Sequence, residues 1–213
     1  MILRFNQYIL EEHSKNEPIT EIRDTNKLGI ILMGSPGIGK STFIKNYILP
    51  KRNDIKTFST DDVSFAMTKS TDDYYPKASE LNLDRLNLFI GDGKPFIYDT
   101  TGTNVDNLKK VFTQAKNSNY RIIFIHLIGN KEQAEAGNLA RIRKVSTDYL
   151  ELAHGTQATN SKIYMSWNPD AYYFVARGER GYIWWKMINN QLKKRGDLGE
   201  WQDCDQEEIY NFF

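Results

Sequence analysis

One cysteine, Cys204, is all the chain contains, so no internal disulfide can form and a reducing compartment is expected. Net charge is nearly absent too. Lys+Arg 28 against Asp+Glu 27 leaves +1, so no global basic field draws the chain to DNA or to a membrane, and any nucleic-acid contact must be local. No apolar run approaches the ~20 residues of a membrane span. The N-terminus lacks the basic start and long apolar core of a secretion signal. The expectation is a soluble, cytoplasmic protein. Internal repeats and long linkers are missing as well, so 213 residues (24.8 kDa) read as one domain with decorations, large enough for a full core.

What is present centres on Gly34-Ser35-Pro36-Gly37-Ile38-Gly39-Lys40-Ser41-Thr42, which follows the apolar run Leu28-Gly29-Ile30-Ile31-Leu32-Met33. The nonapeptide matches G-x-x-x-x-G-K-[ST], a phosphate-binding loop. A buried strand delivers the chain to a turn that side chains would obstruct. Glycines let backbone N–H groups face a phosphate chain, and the next helix aims its N-terminus at the same anion. Lys40 would reach the terminal phosphates and Ser41 would offer its hydroxyl to Mg²⁺. A nucleoside triphosphate is the expected ligand.

The rest of the chain alternates strands with helices. A helix from Lys40 to about Ile48 stops at Pro50, and short β runs at 55–59 and 95–98 flank a helix at 77–90. A helix over about 104–116 leads to the strongest strand, Arg121–Ile128. Such alternation implies right-handed crossovers and a parallel sheet covered on both faces, with ligands beyond the carboxyl ends of the strands. Asp61/Asp62, Asp99 and Gly129-Asn130 stand at those ends. Residues 131–152 read as a helical lid, 155–170 as a polar loop, 172–176 as the last strand and Tyr182–Lys194 as a helix. The divisions expected are an N-terminal helix and polar linker (1–27), a main domain (28–196) and an acidic C-terminal tail (197–213) with a solvated end.

Several side chains could carry chemistry. Asp61 or Asp62 could take a proton from an acceptor hydroxyl or hold the water shell of Mg²⁺; either could instead cap a helix. Asp99 is placed to support the metal or the acceptor, with Thr100 and Thr101 beside it. Arg141, Arg143 and Lys144 bring planar or point cations suited to phosphoryl charge, or else form a solvated basic face. If 131–152 is one helix, Arg141 and Lys144 share a face and Arg143 points elsewhere. His126, Trp184 and Trp185 read as core residues, while Arg177 and Arg180 are open between a nucleobase contact and surface charge.

Asp99-Thr100-Thr101-Gly102 matches the D-x-x-G of GTPases, and Asn130-Lys131-Glu132-Gln133 nearly matches their N-K-x-D. Gln133 stands where a carboxylate would accept two guanine N–H bonds, and its amide offers no second charged acceptor. The interval 102–130 is also one β-α unit too short. A GTPase is disfavoured, and so is a motor ATPase, for which the chain is too short.

The order Gly34–Thr42, Thr60-Asp61-Asp62, Asp99-Thr100-Thr101, then an Arg-bearing lid resembles the small P-loop kinases that include polynucleotide 5′-kinases and zeta toxins. The likeness spans roughly residues 28–176. It implies a P-loop NTPase fold, an α/β three-layer α-β-α sandwich with a parallel sheet and a helical lid. It implies ATP and Mg²⁺ held by Lys40 and Ser41, Asp61 as general base, Asp99 supporting metal or acceptor, and Arg141 or Arg143 as the lid arginine. Asn138-x-x-Arg141-x-Arg143-x-Val145 also looks like lids of this group. Polynucleotide kinases usually carry an arginine three residues past the catalytic aspartate, where this chain has Ser64. The acceptor implied is a hydroxyl of a nucleic acid or nucleotide, with a nucleotide sugar as the alternative; a nucleotide-binding switch without transfer is the rival from another class. Residues 2–12 have Ile2, Phe5, Tyr8 and Ile9 on one helical face. They resemble N-terminal peptides of large tailed phages, which implies a phage origin, a host-cytoplasmic location or packaging into a phage head.

Overall fold

In the computed structural model the described residues are 26–69, 76–141, 143–178, 181–196, 200–210 and 212–213. The expected helix at 2–12 lies outside them, as does Arg180. Eight strands form one sheet in the order β2-β3-β1-β4-β5-β6-β7-β8. The first five run parallel: β1 (Leu28–Met33), β2 (Lys56–Ser59), β3 (Phe96–Asp99), β4 (Arg121–Ile128) and β5 (Ala171–Gly178). The chain builds β2 and β3 on one side of β1, then crosses to β4 on the other. That reversal opens a crevice at the carboxyl end of β1, where such sheets bind ligands.

β1 is central because all six residues are buried, and successive side chains serve opposite faces. Leu28, Ile30 and Leu32 pack with Phe43, Ile44 and Ile48 of α1. This helix runs from Lys40–Phe43 into a π-helical stretch, Ile44–Ile48. Ile31 and Met33 face the larger core beneath α3 (Ala78–Gly91), α4 (Val105–Asn117) and the C-terminal aromatics. Helices on both faces of a mostly parallel sheet make this the expected α/β P-loop NTPase architecture.

Three segments outside the lid depart from the sequence reading. Tyr182–Lys194 is no helix: β6 (Gly181–Ile188) and β7 (Gln191–Arg195) pair antiparallel, with Ile188 opposite Gln191. Asn189 and Asn190 both take positive φ (51° and 61°), the backbone of a two-residue hairpin turn. Trp184 and Trp185 are core residues as expected, but they enter opposite sides of the sheet, which only period-2 geometry allows. The polar stretch 155–170 is mostly helix, with α6 (Thr147–Gly155) followed by α7 (Gln157–Ser166). The buried face of α7 is Gln157, Asn160, Ser161 and Tyr164, so it shows no apolar period. The acidic end is not a solvated tail either. β8 (Trp201–Asp203) joins β7, α8 (Glu207–Tyr210) follows, and Phe212 and Phe213 pack on the main core.

Candidate active site

The phosphate loop leaves β1 at the crevice. Gly39 begins α1 in the left-handed region (φ 102°), with no side-chain cap and no acidic residue in the first turn. The helix therefore presents uncapped N–H groups, a site suited to an anion. Lys40 folds back over the loop, donating to the carbonyls of Gly34 (2.8 Å) and Ser35 (3.3 Å). Burial lowers its pKa, and Asp99 opposes that fall. Ser41 and Thr42 are exposed at the start of the helix.

Gly37 has φ +83°, and a Cβ there would run into the backbone of Ala134, Gly137 and Asn138. These belong to the end of α5 (Lys131–Leu139), so loop and lid touch backbone to backbone. Gly137 answers Gly37: its own Cβ would strike the Gly37 carbonyl.

The lid is not one helix. α5 ends at Leu139, and the described residues 140, 141 and 143–146 are non-helical before α6. Asn138 closes that excursion, donating to Val145 O (3.0 Å) and accepting from Val145 N (3.1 Å). The clamp gives the spacing Asn138-x-x-Arg141-x-Arg143-x-Val145 its physical meaning. Off the helix, both arginines can point the same way, so the expected divergence of Arg143 is wrong. Arg141 Nη2 donates to Asp61 Oδ2 at 2.6 Å, and Arg143 Nη1 to Asp61 Oδ1 at 3.0 Å.

Asp61 and Asp62 lie in the first turn of α2 (Thr60–Thr68), whose N-cap is Ser59; its hydroxyl accepts from Asp61 N at 3.2 Å. Neither aspartate is the cap, which leaves both free for other work. Burial and then Asp61 raise the pKa of Asp62, with Arg85 opposing. Asp99 closes β3, with Leu32 and Ser59 as its register partners on either side. Its pKa is pushed up to about 6 by burial, with Lys40 pulling it down. A half-buried carboxylate at the end of that strand is an oxygen donor a cation could use. Among the described residues no group of three or more Asp, Glu, His or Cys is set to hold a metal unaided. A nucleotide-bound Mg²⁺ needs none, since phosphates and water fill most of its octahedron. The Ser41 hydroxyl and Asp99 carboxylate are oxygen donors that fit it.

Thr100 and Thr101 are held in place rather than loose. Thr100 Oγ1 accepts from Gly102 N (3.2 Å), and Thr101 Oγ1 contacts Tyr149 Oη (3.1 Å). From α7, Gln157 Nε2 donates to Thr101 O (3.0 Å) and Asn160 Nδ2 to Gly102 O (2.9 Å). His126, as expected, is a satisfied core histidine, between Tyr172 Oη (3.2 Å) and Gln157 Oε1 (2.6 Å). Arg177 is exposed. Sequence reasoning missed Tyr149, His154, Gln157 and Asn160. The spacing Gln157, Asn160, Ser161, Tyr164 (i, i+3, i+4, i+7) is a helical face that a search for polar as well as apolar periods would find. The GTPase-like Asn130 proves to be the N-cap of α5, accepting from Gln133 N at 2.9 Å.

Among the described residues no helix is long and apolar enough to cross a membrane. Among curated proteins none matched the chain by sequence. Solved structures share the fold at low identity. A chain from the PezAT chromosomal toxin–antitoxin system of Streptococcus pneumoniae is 14% identical, with a TM-score of 0.59 over 80% of this chain and 74% of that one. AvrRxo1-ORF1:AvrRxo1-ORF2 with ATP gives 13% identity and 0.63 over 97% and 70%. The Pnkp1/Rnl/Hen1 RNA repair complex gives 18% and 0.50 over 67% and 47%. Residues 30–173 match the AAA_33 family, described as an AAA domain. With the phosphate loop, strand-end aspartates and lid in the places described, the chain belongs to the AAA_33 family and is a P-loop kinase domain.

Proposed function

We propose that the chain transfers the γ-phosphoryl group of ATP to a hydroxyl of a nucleic acid or nucleotide, with Asp61 as general base. One observation carries this reading: Asp61, at the carboxyl edge of the sheet beside the phosphate loop, has both carboxylate oxygens within hydrogen-bond distance of lid arginines. A carboxylate that only capped a helix would not need two guanidinium groups from a segment on the far side of the sheet.

The chemistry follows from those places. The uncapped start of α1 and Lys40 hold the phosphates, Lys40 exchanging the carbonyls of Gly34 and Ser35 for phosphate oxygens. Arg141 and Arg143 turn from Asp61 to the transferring group and stabilise its equatorial charge. Asp61, released, accepts the proton of the acceptor hydroxyl as that oxygen bonds to the γ-phosphorus and the bond to the bridging oxygen breaks, leaving ADP. Asp62, Thr100 and Thr101 border the acceptor. Ser41 and Asp99 would hold Mg²⁺, which would supply further neutralisation of phosphate charge.

The fold shared with a chain of an RNA repair complex supports a nucleic-acid acceptor. Ser64 favours a second reading. It is fully buried on α2, so the place where polynucleotide kinases grip an acceptor phosphate faces inward, which counts against a phosphate-anchored acceptor and leaves the nucleotide-sugar hydroxyl as the alternative. Incubation with γ-labelled ATP and a panel of DNA, RNA, nucleosides and UDP-sugars tests the proposal. Label on a nucleic-acid or nucleotide hydroxyl is expected; label on a UDP-sugar selects the second reading. No labelled acceptor would turn the assignment to a nucleotide-binding switch.

A further inference from the structure

His154 lies on α6, nine-tenths buried, and has no role in the reaction proposed above. Its Nδ1 is 3.3 Å from the hydroxyl of Ser35 in the phosphate loop. The main chain of Phe213 acts on the same ring, favouring its protonated form against the effect of burial. A neutral imidazole has one N–H and one acceptor nitrogen, so the ring can serve the Ser35 hydroxyl and a second partner at once. Burial lowers the pKa of His154, which fits the neutral form.

Phe213 is itself anchored elsewhere. Its ring packs 5.5 Å from that of His126 and 6.1 Å from that of Phe174. The preceding Phe212 meets Trp185 at 5.5 Å, and Ile209 is buried in the same core. The C-terminal segment thus crosses the sheet and ends against the helix that contacts the loop.

Ser35 is otherwise held through its carbonyl, which accepts from Lys40 (3.3 Å) and from Ile38 N (3.3 Å). When Lys40 moves to phosphate, that bond is lost and the His154 contact keeps its hold on the loop. We infer that His154 is a positioning residue: it couples the C-terminal segment to the phosphate loop and sets the loop's readiness for nucleotide. The inference rests on the reading of Gly34–Thr42 as an ATP site, and not on the identity of the acceptor.

Equilibrium binding of ATP to the full-length chain tests it, with thermal melting as a control for folding. His154→Ala should weaken ATP binding about 3- to 10-fold, the loss of roughly one hydrogen bond. If an acceptor is in hand, KM for ATP should rise while kcat at saturating ATP stays within about twofold. His154→Gln, which keeps a donor and an acceptor, should recover most of the affinity. Ser35→Ala should weaken binding similarly, and the double variant should be no worse than the weaker single one, since both remove one contact. Phe213→Ala should weaken ATP binding from outside the loop. ATP affinity unchanged in His154→Ala, or additive losses in the double variant, would overturn the coupling. A wild-type chain that fails to bind ATP would instead remove the reading beneath it.

Discussion

Arg141 Nη2 lies 2.6 Å from Asp61 Oδ2, although 80 residues separate the two in the chain. Arg143 takes the other oxygen, so the candidate base is held by the groups that would stabilise the transferred phosphoryl. Each pair is part-exposed, with the Asp61 side chain at 49%. Such pairs contribute only about 0–1 kcal/mol to stability. Their removal should therefore be visible in the reaction and nearly silent in folding. Arg141→Ala and Arg143→Ala should each melt within a few degrees of wild type while lowering transfer roughly 10²- to 10³-fold. A large fall in melting temperature with transfer intact would make them scaffold residues.

Gly137 offers a test with an unusual sign. It sits inside α5, where alanine is ordinarily preferred over glycine by about 1 kcal/mol. Here a Cβ would strike the Gly37 carbonyl across the loop–lid contact. Gly137→Ala should thus lower stability and weaken ATP binding, because loop and lid must separate. Chemical denaturation checks the first effect. A stabilised Gly137→Ala protein would show that the loop–lid approach is looser than described.

Two groups shifted in opposite directions give opposed pH dependences. Asp99 keeps its proton to about pH 6 in the fold but to about 3.8 when unfolded, so between these values the folded chain binds more protons. Its contribution makes stability fall as pH rises from about 4 to about 6. Burial lowers the pKa of His126 from 6.5 to about 4, so here the unfolded chain binds more protons and stability falls as pH drops through that window. In wild type the two partly cancel. Asp99→Asn removes the first, so its stability relative to wild type should grow from about pH 4 to about pH 7.5, by at most on the order of 3 kcal/mol. Urea denaturation without nucleotide measures it. A difference that stays constant across that range would contradict the raised pKa of Asp99.

How much was legible in the sequence depended on whether the signal was contiguous. Gly34–Thr42, Asp61 and Asp99 are short runs at strand ends, and a parallel sheet gathers strand ends by topology alone. Arg141 and Arg143 were legible as cations, but their shared direction was not, because it depends on Asn138 bridging to Val145 and breaking the helix. Tyr182–Lys194 misled because its aromatics also satisfy helical spacing; the local correction was Asn189-Asn190, a turn pair without the usual glycine. Gln157 and Asn160 were hidden for the opposite reason. Their helix buries hydrogen-bonding groups against the main chain at Thr101 and Gly102, and apolar periodicity has nothing to detect there.

Asp61→Asn is the most direct test of the central claim. Asparagine keeps the size of the side chain and removes its ability to take a proton, while Lys40 and the phosphate loop are untouched. With γ-labelled ATP and an acceptor that wild type phosphorylates, transfer by Asp61→Asn should fall by about 10²- to 10⁴-fold, and ATP affinity measured in parallel should remain near wild type. Full transfer activity in Asp61→Asn would contradict the assignment of Asp61 as the base.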